Sequence, residues 1–298
     1  MLDKLRGTGT ALVTPFHKDG SIDFQALENL IEYQISGGID YLVFLGTTGE
    51  AVVLNKDERN AVINLAGEMV NGRVPVVVGI GGNNTREITN TMQETSFERI
   101  DAVLSVSPYY NKPQQRGILL HFKTIAAACP VPLIIYNVPS RTGSNIAAET
   151  TLRIAREIPN VIAVKEASHD LAQCAHIIKN KPDDFLVISG NDDLALPFMS
   201  LGGDGIISVI ANAFPAEFSM MIKLCLDDEF AQARTIQQRL LEITEGIYAD
   251  GSPSGIKAVL EMKGLCKNAL RLPLVKINKS LNNQLSLMLQ EIEKVPVI

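Results

Sequence analysis

The 298-residue chain contains no tryptophan, only four cysteines and no long apolar run. No run of eighteen residues is free of charged or strongly polar side chains, which excludes a membrane-spanning helix. The first seven residues lack the apolar core of a signal peptide, so we expect a soluble, cytoplasmic protein. The cysteines are widely spaced and form no Cys-x-x-Cys pair, which disfavours both a zinc site and a disulfide framework.

The chain also has no block of basic residues, and its formal net charge is −6. An acidic chain of this kind is a poor partner for nucleic acid or for an acidic membrane surface. Its four histidines show no metal-ligand spacing, which disfavours a metal-dependent enzyme. We therefore expect neither a metal nor an organic cofactor, and we expect single local cations to hold any anionic substrate.

Apolar runs with strand character alternate with amphipathic stretches over residues 1–225. The predicted strands cover residues 8–14, 40–45, 74–80, 102–106, 132–136, 161–168, 185–189 and 205–209. Eight such β/α units predict an α/β fold of the (β/α)8 TIM-barrel type. Helices predicted over residues 226–298 form a C-terminal extension. The alternative, a doubly wound sheet, would usually show a glycine fingerprint after its first strand, where this chain has Thr14-Pro15-Phe16.

Lys165 lies at the carboxyl end of the apolar run that forms the sixth predicted strand. Strand alternation places Val161, Ala163 and Lys165 on one face, so the lysine is expected in an apolar interior. Burial disfavours the ammonium form, and a neutral lysine amine is a nucleophile for carbonyl carbon. The alternative is that Lys165 merely ends the strand with its ammonium in water.

Polar side chains collect where the other predicted strands end, which is where barrel enzymes place their working groups. These residues are Thr47, Thr48, Tyr109, Tyr110, Tyr136 and, just beyond, Arg141. Hydroxyls that pass protons and a guanidinium that binds a carboxylate suit imine chemistry on a keto acid. The acidic segment Gly190-Asn-Asp-Asp193 is interpreted as helix caps rather than as a pair of catalytic carboxylates.

Four segments resemble the signature segments of the dihydrodipicolinate synthase family of pyruvate-dependent lysine aldolases. They are Gly46-Thr-Thr-Gly-Glu50, Pro108-Tyr-Tyr-Asn-Lys-Pro113, Tyr136-Asn-Val-Pro-Ser-Arg-Thr-Gly143 and Val164-Lys-Glu-Ala167. The resemblance spans nearly the whole chain. It implies a (β/α)8 lyase that condenses pyruvate with L-aspartate 4-semialdehyde, the first committed step toward diaminopimelate and lysine.

The resemblance also implies a role for each residue of the catalytic set. Lys165 matches the Schiff-base lysine, and Tyr136 matches the residue that donates and accepts protons. Thr47 and Tyr110 match the other members of a hydroxyl relay. The residue at the position of Tyr110 is typically lent by the neighbouring subunit of a tight dimer, so we expect a homotetramer built from two such dimers.

Three further residues match substrate-binding positions of the family. Thr48 and the backbone at Ile207 match the site for the pyruvate carboxylate. Arg141 matches the residue that binds the carboxylate of the semialdehyde. The matched residues therefore imply that two small-molecule substrates are bound at one end of the barrel.

One region departs from the lysine-inhibited members of the family. In those members, the segment after Gly-Thr-Thr-Gly-Glu carries small polar residues and histidines that help to form the inhibitor site. This chain carries Ala51, Val52, Lys56 and Arg59 there, while Asn83, Glu87 and Tyr109 match. Because two added cations repel a cationic ligand, we expect weak or absent feedback by lysine.

Two other functions are consistent with parts of this pattern. A related lyase, such as an N-acetylneuraminate lyase or a keto-deoxy sugar acid aldolase, would share the imine chemistry. The Thr47-Thr48 pair and the Ser140-Arg-Thr-Gly143 turn favour the dihydrodipicolinate synthase family over the neuraminate lyases. A non-catalytic regulatory barrel that binds keto acids is the alternative from another class, and it would have no use for an intact proton relay.

Overall fold

Eight parallel strands form a closed barrel, in which each strand pairs with the next and the last pairs with the first. The computed structural model describes residues 2–294. The strands are Gly7–Ala11 (β1), Tyr41–Phe44 (β2), Val76–Gly79 (β3), Ala102–Val106 (β4), Leu133–Asn137 (β5), Val161–Glu166 (β6), Leu186–Ser189 (β7) and Gly205–Ser208 (β8). The predicted barrel is therefore confirmed.

Helices separate successive strands along the chain and continue beyond the barrel. They are Phe24–Ser36 (α1), Lys56–Val70 (α2), Thr85–Glu94 (α3), Gln115–Ala128 (α4), Pro139–Thr142 (α5), Ala148–Glu157 (α6), Leu171–Asn180 (α7), Ala195–Ser200 (α8), Pro215–Leu226 (α9), Phe230–Tyr248 (α10), Ser254–Met262 (α11) and Lys279–Lys294 (α12). Among the residues that the structure describes, no helix is both long and apolar enough to cross a membrane.

Local signals account for several of these boundaries. Asp23 caps α1 by accepting a hydrogen bond from the backbone of Ala26. Asn55 and Glu58 form a capping box at the start of α2, the helix that follows the loop after β2. The first strand ends earlier than predicted, because the Val13 N–H donates to the Asn212 side chain instead of continuing the ladder.

The strands bury apolar side chains on both faces, as parallel strands covered by helices do. One layer fills the barrel interior, and a larger layer lies between the strands and the helices. The interior layer includes Val43, Val77, Leu104, Ile134 and Ile188. The barrel interior is thus a packed core.

The register of β6 against β5 contains one irregularity, in the strand that carries Lys165. Val161 pairs with Leu133, but the next residue of β5, Ile134, pairs with Ala163. Val161 consequently packs in the outer layer, and its predicted place beside Ala163 was wrong because one extra residue reverses the alternation. Ala163 lies in the interior as predicted, and Lys165 follows two residues later.

The C-terminal helices join the barrel through buried polar contacts as well as apolar ones. The Lys257 ammonium on α11 forms an ion pair with Glu50, and both side chains are fully buried. Lys257 Nζ also lies 4.3 Å from the centroid of the Phe16 ring. The backbone N–H of Arg271 donates to the other carboxylate oxygen of Glu50. The extension thereby holds the loop after β2, which carries Thr47 and Thr48.

Candidate active site

Lys165 is buried at the mouth of the barrel, with only 5% of its surface exposed. Strand pairing places it between Tyr136 of β5 and Ile188 of β7. Its Nζ lies 4.5 Å from the centroid of the Tyr136 ring. The expectation of a buried lysine is therefore confirmed, and the alternative of a solvated strand end is wrong.

The surroundings of Lys165 favour its neutral form. Burial lowers the pKa of Lys165 to about 8, and the positive charge of Arg141 acts in the same direction. The negative charge of Asp192 opposes both effects. At neutral to mildly basic pH, a useful fraction of the amine is therefore unprotonated and able to attack a carbonyl carbon.

Tyr136 brings a hydroxyl to the same site from the end of β5. Burial raises the pKa of Tyr136, whereas the Arg141 charge and the Thr47 hydroxyl lower it. Thr47 and Arg141 are exposed, and Thr48 is buried. A phenol that interacts with a hydroxyl and a guanidinium can give and accept a proton.

A cavity of about 440 Å³ brings most of the predicted site residues together. Five of the seven line its wall: Thr47, Thr48, Tyr136, Arg141 and Lys165. Ile207 lies in the barrel interior, is fully buried and is not among the residues that line this cavity. The strand ends thus converge as the barrel topology requires.

Tyr110 does not line this cavity. Its side chain is 88% exposed, and its backbone has a φ of 76°, in the left-handed region that non-glycine residues rarely adopt. Its N–H lies 3.4 Å from the carbonyl oxygen of Thr142. A large exposed aromatic side chain on such a backbone is directed away from the site of its own chain.

Two residues of the site were not identified from the sequence. Gly190 faces Lys165 so closely that an added Cβ would lie 2.7 Å from the lysine Cε. Asp192 is 1% exposed and lines the cavity. The interpretation of Asp192 as a helix cap was wrong, since its carboxylate accepts hydrogen bonds from Val209, Ile210 and Tyr248 instead.

Comparison with known proteins identifies the group to which this arrangement belongs. The sequence profile of the Dihydrodipicolinate synthetase family matches residues 4–292. The chain belongs to this family. The resemblance carried by the four signature segments is therefore confirmed.

Individual members of the dihydrodipicolinate synthetase family are similar over nearly their whole length. The 4-hydroxy-tetrahydrodipicolinate synthase of Parabacteroides distasonis is 53% identical over 271 residues, which are 91% of each chain. The crystal structure of dihydrodipicolinate synthase from Aquifex aeolicus is 37% identical, with a TM-score of 0.94 over 97% of this chain and 98% of that one. That from Cyanidioschyzon merolae, with lysine bound, is 35% identical, with a TM-score of 0.94 over 98% and 99%.

This member of the family has a second cavity, of about 590 Å³, beside the first. Its wall includes the residues singled out in the sequence for lysine feedback, namely Ala51, Val52, Lys56, Arg59, Asn83, Glu87 and Tyr109. The Lys56 ammonium forms an ion pair with Glu94 at 2.8 Å, and Arg59 donates to the carbonyl oxygen of Ala51. The two cavities share Thr47, Tyr136 and Arg141.

Proposed function

We propose that this protein condenses pyruvate with L-aspartate 4-semialdehyde, as a 4-hydroxy-tetrahydrodipicolinate synthase, through an imine on Lys165. The observation that carries the proposal is a buried lysine, with a pKa lowered to about 8, in a cavity that also contains Tyr136, Thr47 and Arg141. Membership of the dihydrodipicolinate synthetase family and the names of the curated relatives support the same activity. The product serves diaminopimelate and lysine biosynthesis.

The first half of the reaction follows from the chemistry of Lys165. Its neutral amine attacks the ketone carbon of pyruvate, and a C–N bond forms. The former ketone oxygen is protonated and leaves as water, while the nitrogen loses a proton. Tyr136 donates and accepts these protons, with Thr47 as the next hydroxyl of the relay. The lysine itself supplies the electron sink, so no metal or organic cofactor is needed.

The second half uses the imine as an acid-strengthening group. Loss of a proton from the methyl carbon forms an enamine, which attacks the aldehyde carbon of the second substrate; the new C–C bond forms and the aldehyde oxygen takes up a proton. The amino group of the semialdehyde then displaces the Lys165 nitrogen from the imine, which closes a ring and frees the lysine. Arg141, at the mouth of the cavity, binds the carboxylate of the semialdehyde. Thr48 and the backbone at Ile207 bind the carboxylate of pyruvate.

We propose that Tyr110 completes the relay in a second copy of the chain. The support is its exposure of 88% and its absence from the wall of its own cavity. Catalysis then requires a tight dimer, and two such dimers form the homotetramer expected from the resemblance. Tyr110→Phe should lower kcat without dissociating the assembly, which gel filtration and turnover assays can separate.

We propose that the chain consists of a catalytic barrel, residues 1–225, and a helical extension, residues 226–298. The support is that α10 begins at Phe230, after the eighth β/α unit has ended with α9. We place the reaction in the cytoplasm, where the thiols of the four free cysteines would stay reduced.

Reductive trapping tests the proposal directly. Borohydride added to the protein with pyruvate should attach the three-carbon unit to the peptide that contains Lys165, and Lys165→Ala should abolish both trapping and turnover. Lys179→Ala, at an exposed position on α7, is the matched control and should retain both. An unmodified Lys165 in a protein that turns over would refute the mechanism. A clear preference for sugar keto acids over the semialdehyde would refute the substrate assignment.

A further inference from the structure

Asp192 is a buried carboxylate that the proposed reaction steps do not use. It lies between β7 and α8 and is 1% exposed. It lines the same cavity as Lys165, and its charge raises the pKa of that lysine. Because burying a charged carboxylate is costly unless it is hydrogen-bonded, the partners of this carboxylate indicate what it does.

The carboxylate of Asp192 connects three segments that are far apart in sequence. Its Oδ2 accepts hydrogen bonds from the backbone N–H groups of Val209 and Ile210, both at 3.0 Å. The same oxygen accepts a bond of 3.0 Å from the hydroxyl of Tyr248, at the end of α10. Residues 209–210 directly follow β8, whose Ile207 backbone is proposed to bind the pyruvate carboxylate. The extension therefore reaches the mouth of the barrel through Tyr248.

These contacts give Asp192 a defined electrostatic role. Burial keeps the pKa of Asp192 above its ordinary value, although the two backbone donors, the Ser208 hydroxyl and the Tyr248 hydroxyl lower it. Several donors directed at one carboxylate stabilise its ionised form. When Asp192 is ionised, its negative charge favours the ammonium form of Lys165, in opposition to burial and Arg141.

We propose that Asp192, held by Tyr248 of the C-terminal extension, is a positioning residue that orients the segment after β8 and adjusts the protonation of Lys165. The role attributed to Lys165 rests on the proposed function. Asp192 keeps the lysine amine from becoming too weakly basic, so that the carbinolamine and imine nitrogens can still be protonated during the reaction. Tyr248 orients the carboxylate toward Val209 and Ile210.

Other charged or titratable groups also line this cavity. Tyr136 and Arg141 approach it from β5 and α5. The other titratable residues of the wall are His169, Asp193, Glu245 and Tyr248. Asp193 and His169 lie 3.9 Å apart and are both partly exposed, so solvent screens their charges more strongly than that of Asp192.

Asp192→Asn is the decisive variant, because it keeps the size of the side chain and removes its charge. The pH dependence of borohydride trapping with pyruvate reports the protonation of Lys165. We expect the acid limb of this profile to move to lower pH by about one unit, since an opposite charge nearby shifts a pKa by about 1–3. A purely structural role would lower the rate at every pH and leave the limb in place.

Asp101→Asn is the matched control, since this aspartate accepts a backbone hydrogen bond from Val76 at the amino end of the barrel strands. The acid limb of the trapping profile of Asp101→Asn should coincide with that of the wild type. Tyr248→Phe tests the second part of the proposal and retains the charge of Asp192. In Tyr248→Phe the acid limb should stay at the wild-type pH, and the KM for pyruvate should rise several-fold. Tyr33→Phe, which loses a hydroxyl bonded to the Ala213 carbonyl oxygen, should leave the KM for pyruvate unchanged.

The outcomes separate this inference from the proposed function. If the wild type traps pyruvate on Lys165 but Asp192→Asn has an unmoved limb, the electrostatic role is overturned and the imine mechanism stands. If Tyr248→Phe leaves the KM for pyruvate unchanged, the positioning role of the extension is overturned. If the wild type is not trapped at all, the proposed function itself fails. If Asp192→Asn does not fold, Asp192→Glu is the alternative variant. Because it keeps the charge, the acid limb of its trapping profile must lie at the wild-type pH.

Discussion

Burial of the Lys165 ammonium should make the wild-type protein less stable than a variant with an apolar side chain of similar length. Burial lowers the pKa of this lysine from its ordinary value of 10.5 to about 8. At ~1.4 kcal/mol per pH unit, this difference corresponds to roughly 3 kcal/mol of unfavourable free energy whenever the amine is charged. We therefore expect Lys165→Met to be inactive but to have a higher free energy of unfolding at pH 7.

The sign of the pH dependence follows from proton linkage. Between pH 8 and pH 10.5 the unfolded chain keeps the proton on Lys165, whereas the folded protein has lost it. The wild-type protein therefore gains stability relative to Lys165→Met as the pH rises through this window. Below about pH 8 the full difference between the two proteins is present.

Urea unfolding of both proteins from pH 6 to pH 10.5 measures this difference directly. Comparison with the variant cancels the contribution of titrating groups that do not interact with Lys165. Equal stabilities at pH 7, or a gap that stays constant up to pH 10.5, would contradict a lowered pKa for Lys165. Lys179→Met, at an exposed position on α7, controls for the loss of a surface charge and should change stability by less than about 0.5 kcal/mol.

Three further predictions concern the neighbouring structure. Lys257→Met leaves Glu50 buried without its ion-pair partner and should lower the free energy of unfolding by about 3–5 kcal/mol. Addition of Glu50→Gln to this variant should recover part of the loss. Urea titrations of Lys257→Met, Glu50→Gln and the double variant would show whether the two side chains are energetically coupled. Gly190→Ala places a Cβ 2.7 Å from the lysine Cε and should slow imine trapping at least tenfold, unlike Gly117→Ala, whose added Cβ would lie 3.5 Å from Pro113. L-Lysine should inhibit weakly or not at all, because Lys56 and Arg59 line the second cavity. The ion pair of Lys56 with Glu94 reduces the repulsion between Lys56 and a bound lysine. Strong inhibition at or below millimolar lysine would show that the remaining charges do not exclude the ligand.

Local patterns were sufficient for most of the element order. The bounds predicted for α2 and β4 agree with the structure, since each has a clear periodicity and, for α2, a capping box. The register of β6 against β5 could not be predicted from the sequence in this way. The extra residue in β6 reverses the positions of Val161 and Ile162, and nothing in that apolar run distinguishes the two arrangements.

The composition of the site was partly predictable from the positions of residues at strand ends. Thr47, Tyr136 and Lys165 stand at strand ends, and parallel strands of a barrel bring their carboxyl ends to one mouth. Asp192 was misread, because an aspartate shortly before a helix usually caps it. Its actual partner Tyr248 lies 56 residues further along the chain, on a helix that belongs to the extension.

The sequence alone therefore determined the order of strands and helices, the barrel and the place of Lys165 at a strand end, since each depends on short-range periodicity or on residues at strand ends. The tertiary structure decided how deeply Lys165 is buried, which charges face it, and that Glu50 and Asp192 are held by side chains from the extension. Those properties depend on groups that meet only when the chain has folded, because the electrostatic effect of a neighbour depends on distance and burial and not on separation along the chain.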